Sequence, residues 1–205
     1  MKKIMNLLII CMLAIGMVGC NGYKVKNKDV YNKGYYEYAV ADGVDSINNK
    51  YGYRGVVSHV VDSIVATGNP EDRFDSDGNY LYTIEKEDYL DYEYGKLQFA
   101  IDKTKEEKEK DLYYIFENGV MEVTGEMTKE QKRIIKKYNK AYVECYDEIL
   151  DLLKEIESRY GKEDIPWEYW DKVQEIFDKQ ELILESYAEE MSGTVNVKIL
   201  KELLD

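Results

Sequence analysis

The clearest periodic pattern in the chain runs from Ile134 to Ile156. Ile134, Tyr138, Ala141, Cys145, Ile149, Leu152 and Ile156 recur at steps of three and four, mostly separated by charged and polar residues. That spacing places the apolar set on one face of a helix. Ahead of it, Thr128-x-x-Gln131 forms a capping box, in which a side-chain oxygen accepts a free amide of the first turn. The pattern reaches Tyr160, and Gly161 closes it, which predicts a helix over 128–160. A further helix is predicted over 166–191, with Pro166 in the first turn, where its missing N–H costs nothing. Trp170, Val173, Phe177, Leu184 and Met191 form its apolar stripe, and Gly193 ends it. Residues 195–204 read as a short terminal helix.

The middle of the chain admits two readings. Lys96–Ile101 and Leu112–Phe116 each resemble a strand alone, but residues 103–111 between them hold no Gly, Pro, Asn or Ser. A joint without turn chemistry, and too long for a hairpin loop, favours continuity. Lys and Glu are good helix formers, and Glu106 with Lys110 is a favourable pair one turn apart. One helix over 85–117, ended by Asn118-Gly119, accounts for all three pieces.

Nearer the front, Tyr36, Val40, Val44, Ile47 and Tyr51 recur at helical steps, with Gly43 among them. Val56-Val57, Val60-Val61 and Ile64-Val65 are doublets spaced by four. Their β-branching favours a strand, but the spacing segregates them on one half of a helix, and strict alternation is absent. Gly68-Asn69-Pro70 stops that element. Residues 69–80 read as a loop and Tyr80–Ile84 as a short strand.

These elements predict a mainly α fold. Long helices near 85–117, 128–160 and 166–191 form an elongated antiparallel bundle, with a smaller helical pair at the N-terminal side. Helices 85–117 and 128–160 would each span about 50 Å at 1.5 Å per residue. The last two are joined by a few residues, so they turn back on each other. The alternative is α+β, with a small antiparallel sheet at 80–124 built from strands at 80–84, 97–102, 112–117 and 120–124.

The first twenty residues follow a different logic. Lys2 and Lys3 precede an apolar run from Leu7 to Ile15, which ends in Gly16-Met17-Val18-Gly19-Cys20. Positive charge, apolar core and small residues, in that order, describe a secretory signal. The segment resembles the signal of bacterial lipoproteins, with Met17-Val18-Gly19-Cys20 as the lipobox and Met17 where Leu is usual. The resemblance covers this segment alone. It implies that Cys20 is acylated, becomes the first mature residue and holds the protein on the extracytoplasmic face of a membrane. The expected organisation is a signal peptide at 1–19, a lipidated polar tether at 20–29 and one helical domain at 30–205.

Charge and cysteines narrow the class further. The full chain carries a formal charge of −13, and losing Lys2 and Lys3 takes the mature chain to −15. So acidic a body does not grip nucleic acid or an anionic membrane through its net charge. Lys24, Lys26 and Lys28 form a basic stretch beside the expected anchor. Of three cysteines, Cys11 leaves with the signal and Cys20 takes the lipid. Cys145 alone remains, so no internal disulfide is expected and the core must hold the fold.

Catalytic groupings are sparse. The single histidine, His59, falls on the polar half of its helix, and Cys145 lies in an apolar stripe. Asp72, Asp75, Asp77 and Asn79 surround Gly78, but the register of a calcium loop puts Arg73 and Ile84 on ligand positions, so no metal site is expected. No cofactor is expected either. Acidic residues are too abundant for any carboxylate pair to stand out as a hydrolase dyad, which the alternative function, a small envelope hydrolase, would need.

The unusual feature is aromatic: 20 Tyr against 4 Phe and 2 Trp. Tyrosine offers an apolar face and a polar tip, which suits interfaces and sugar stacking. Local clusters occur at Tyr35-Tyr36-x-Tyr38, at Tyr89, Tyr92 and Tyr94, and at Trp167, Tyr169 and Trp170. The last two groups are the candidate binding aromatics. The expected function is a non-catalytic, membrane-anchored protein that binds an envelope protein or cell-wall glycan.

Overall fold

The computed structural model describes residues 22–37, 47–65, 72–74, 80–110, 121–123 and 125–199. Among these residues five helices carry the fold: α1 (Lys28–Glu37), α2 (Ile47–Val65), α3 (Tyr89–Glu109), α4 (Lys129–Arg159) and α5 (Glu168–Ser192). Four short strands accompany them: β1 (Asp72–Phe74), β2 (Tyr80–Thr83), β3 (Met121–Val123) and β4 (Val197–Ile199). The protein is a mainly α helical bundle.

Helix α3 packs against α2 and α4, α4 against α5, and α5 back against α2, so these helices close a ring around the main core. Val56, Val57, Val60, Val61 and Ile64 of α2 meet Leu97 and Ala100 of α3, Ile149, Leu153 and Ile156 of α4, and Val173 and Phe177 of α5. The doublets of α2 therefore point inward as their spacing predicts. Helix α2 bends at Gly52, whose backbone (φ 66°, ψ −175°) is open almost only to glycine. A second apolar cluster, Ile134 with Tyr187 and Met191, fills the other end of the α4–α5 pair.

The capping box forms as expected: Thr128 Oγ1 accepts from the Gln131 amide at 3.1 Å, and Gln131 Oε1 accepts from the Thr128 amide at 2.8 Å. The α4–α5 pair is antiparallel, with Tyr169 donating to Glu155, and Lys179 and Lys137 pairing with Glu148 and Glu190 further along. Pro166 stands just outside α5 rather than in its first turn, since Trp167 occupies the N-cap and Glu168 starts the helix.

Other elements differ from the sequence reading. The helix expected over 85–117 is observed as Tyr89–Glu109; Lys110 is extended, and its amide bonds back to the Glu107 carbonyl. It spans about 31 Å against about 46 Å for α4, so the two are not matched in length. Residues 97–102, strand in the alternative, lie inside α3. Residues 112–117 lie outside the described residues, as do Val40, Gly43, Val44 and Asn79 of the sequence patterns. Tyr36 faces outward rather than joining an apolar stripe.

The expected loop at 69–80 contains β1, which pairs antiparallel with β2 in a register that sets Arg73 opposite Tyr82. The expected terminal helix at 195–204 holds β4 instead, paired antiparallel with β3 through Glu122 and Lys198. Val197 and Val123 complete the second apolar cluster, and this burial decides in favour of the strand.

Candidate functional site: a docked tether and a ladder of tyrosines

Residues 20–29 were expected to be a polar tether, yet residues 22–28 are built into the bundle. Tyr23, Val25 and Asn27 are half-buried, whereas Lys24, Lys26 and Lys28 are exposed. Asp91, in the first turn of α3 and only 1% exposed, anchors the segment. Its carboxylate accepts from the Lys26 amide at 3.0 and 3.1 Å and from the Asn27 amide. Asn27 then caps α1: its Oδ1 accepts from the Val30 amide at 3.3 Å, and its Nδ2 donates to Asp88 at 3.0 Å.

The Tyr23 ring packs 5.1 Å from Tyr94 and 5.3 Å from Tyr160, and it lies over Gly161, where any Cβ would come within 2.6 Å of the ring. Burial first, and then a hydrogen bond and the negative charge of Asp91, push the Tyr23 phenol up and keep it protonated.

From Tyr94 the rings continue. Tyr31 lies 6.1 Å from Tyr94, Tyr35 lies 6.3 Å from Tyr31, and Tyr36 lies 5.3 Å from Tyr35. Tyr31 and Tyr35 are one helical turn apart, so they share a face of α1. Their hydroxyl groups meet carboxylates: Tyr94 donates to Glu157 at 2.9 Å and Tyr35 to Asp102 at 3.1 Å. Burial and those neighbouring carboxylates hold both phenols in the neutral form. The ladder surfaces at Tyr36, which is 61% exposed.

The candidate binding aromatics divide. Tyr92 is fully buried, with its hydroxyl on Glu37 and the Lys96 ammonium 5.0 Å from its ring. Tyr89 is half-buried against Val30, Ile84 and Tyr92. Tyr94 belongs to the ladder. Tyr169 is buried, and its hydroxyl donates to Glu155 at 2.6 Å. Trp167 and Trp170 stack with centroids 5.5 Å apart, and Trp167 is 49% exposed. Tyr92 and Tyr169 therefore serve the core and present no face to a partner. Sequence reasoning missed Tyr23, Tyr31 and Asp91. The alternation of Tyr23, Val25 and Asn27 with three lysines was the available signal. Cys20 lies outside the described residues.

One cluster has the composition of a catalytic site. Ser63 Oγ donates to Glu93 at 2.6 Å, and Lys96 Nζ lies 2.8 Å from Glu93 and 3.4 Å from Ser63. Lys96 forms an ion pair with Glu93. Glu93 and Lys96 are 1% and 2% exposed, so the group clamps α2 to α3. His59 is exposed. Cys145 is buried, donates weakly to the Ala141 carbonyl and has its thiol pushed up by burial. A hydrogen bond from Tyr169 lowers Glu155, and one from Lys137 lowers Glu190, the opposite of what a carboxyl general acid needs. Among the described residues no group of His, Cys, Asp and Glu could hold a metal ion. No described helix is long and apolar enough to cross a membrane.

Comparison with family models, with curated proteins and with solved structures returns no match to this chain.

Proposed function

We propose that the chain is a lipid-anchored binding protein on the outer face of a bacterial membrane, attached through Cys20 and engaging an envelope protein or cell-wall glycan. The observation that carries this reading is Asp91. A buried carboxylate is committed to the backbone of the segment that follows the lipobox-like residues. A leader that merely spanned a gap would need no such fixture. The docked tether holds the bundle close to its point of attachment.

The exposed rings supply a surface for a partner. Tyr36 stands on Tyr35, and Trp167 on Trp170, as flat apolar faces with polar edges in an acidic body. Such rings stack on sugars and fill shallow protein pockets.

Metabolic labelling with an alkyne fatty acid, followed by membrane fractionation, tests the attachment. The wild-type chain should take up label and sediment with membranes, and Cys20→Ala should do neither. A bare thiol on Cys20, or a cytosolic product, overturns the reading. Pull-downs from solubilised envelopes with Tyr36→Ala and Trp167→Ala then test the rings. A partner retained by both variants would show that binding lies elsewhere.

A further inference from the structure

The alternation at the tether has a fixed sense. Lys24, Lys26 and Lys28 are exposed, while Tyr23, Val25 and Asn27 are half-buried. The segment bends at Lys26 and Lys28 opens α1, so tertiary contacts rather than a strand-like backbone hold the alternation. Asp91 fixes it by gripping the Lys26 and Asn27 amides, and the Tyr94 and Tyr160 rings fix it by caging Tyr23. The outward row of lysines is therefore a consequence of the fold.

We propose that this row docks on the anionic phospholipid headgroups of the membrane that holds Cys20, so that the bundle lies with its tether flat against the bilayer. The inference rests on the lipid attachment proposed above and adds the orientation and the lipid chemistry. Chain length makes contact unavoidable. Only three residues separate Cys20 from Lys24, and at 3.3–3.6 Å per residue Lys24 sits within about 14 Å of the acylated residue. Charge and position together select the face. The mature body carries a formal charge of −15, so an anionic surface repels most orientations; the exposed basic run of α4 (Lys129, Lys132, Arg133, Lys136) also attracts, but the tether lysines are the ones held beside Cys20. Among the described residues no carboxylate side chain forms an ion pair with any of the three lysines. Asp29, the nearest exposed carboxylate in sequence, lies in the first turn of α1, where the helix N-terminus favours its charge.

The test uses the acylated protein, purified from membranes and placed in vesicles of phosphatidylcholine, alone or with phosphatidylglycerol. Lysines are modified with an amine-reactive reagent and read by mass spectrometry, with Lys179 of α5, paired with Glu148, as the internal control. Lys24, Lys26 and Lys28 should react about fivefold more slowly with phosphatidylglycerol present, and the difference should vanish near 1 M salt, where screening is nearly complete. Equal modification in the two vesicles overturns the proposal, and so does protection that salt does not relieve. The same spectra report the mass of the N-terminal peptide. An unacylated Cys20 removes the attachment itself, whereas an acylated Cys20 with unprotected lysines removes only the docking.

Discussion

Gly34 on α1 and Gly95 on α3 are reciprocal. A Cβ on Gly34 would come within 2.0 Å of the Tyr92 carbonyl oxygen of α3, and one on Gly95 within 2.2 Å of the Tyr31 carbonyl oxygen of α1. The two helices thus meet backbone to backbone, which a side chain at either position forbids. This contact lets Tyr31 and Tyr35 flank α3 and join the ladder. Gly95→Ala should destabilise the protein by about 1–3 kcal/mol through overpacking and loosen α1 from the bundle. Urea denaturation, with the fluorescence of the tyrosine ladder as a second probe, measures it. A loss under about 0.5 kcal/mol would show that the crossing is not tight.

The Glu93–Lys96 pair makes a different prediction. Removing Lys96 leaves the Glu93 carboxylate buried without that cation. Lys96→Met should therefore cost about 3–5 kcal/mol, whereas the double variant Glu93→Leu, Lys96→Met should recover much of the loss. A double variant no more stable than Lys96→Met would show that the pair contributes more than mutual neutralisation. Chemical denaturation of the full set of variants decides between these outcomes.

Gln131 is fully buried and does two jobs. Its Oε1 closes the capping box, while its Nε2 donates to Thr194 Oγ1 at 3.0 Å and to the Val195 carbonyl at 2.9 Å. It thereby ties the start of α4 to the turn that delivers β4. Gln131→Glu keeps the shape but removes the donor and buries a carboxylate, and should cost about 3 kcal/mol. Thr128→Ala, which removes only the cap, should cost about 1 kcal/mol. Thermal unfolding of the two variants should preserve that order, and equal losses would refute the tie to β4.

Acid should weaken the α4–α5 pair. Glu155 is lowered below the ordinary 4.5 chiefly by the Tyr169 hydroxyl, and Glu190 chiefly by Lys137. A carboxylate whose folded pKa is depressed adds stability above its unfolded value, and that stability is lost as pH falls through the folded value. Tyr169→Phe and Lys137→Met should thus lower Tm at pH 7, and the gap from wild type should shrink below about pH 4.5. A gap that stays constant between pH 7 and pH 3 would sink this linkage.

Sequence alone determined the helices whose signals are local. The capping box, the three-and-four spacing of α4 and the valine doublets of α2 each depend on residues within a turn of one another, so they are legible without knowing the fold. The tertiary structure decided what those helices and their neighbours face. Asp91 finds its amides 65 and 64 positions away, β4 pairs with a strand that precedes α4 in the chain, and the fate of each tyrosine depends on the element opposite. An aromatic residue reads the same in sequence whether its ring caps a core, as Tyr92 does, or meets water, as Tyr36 does. Burial is a property of pairs distant along the chain, and only the packed chain brings those pairs together.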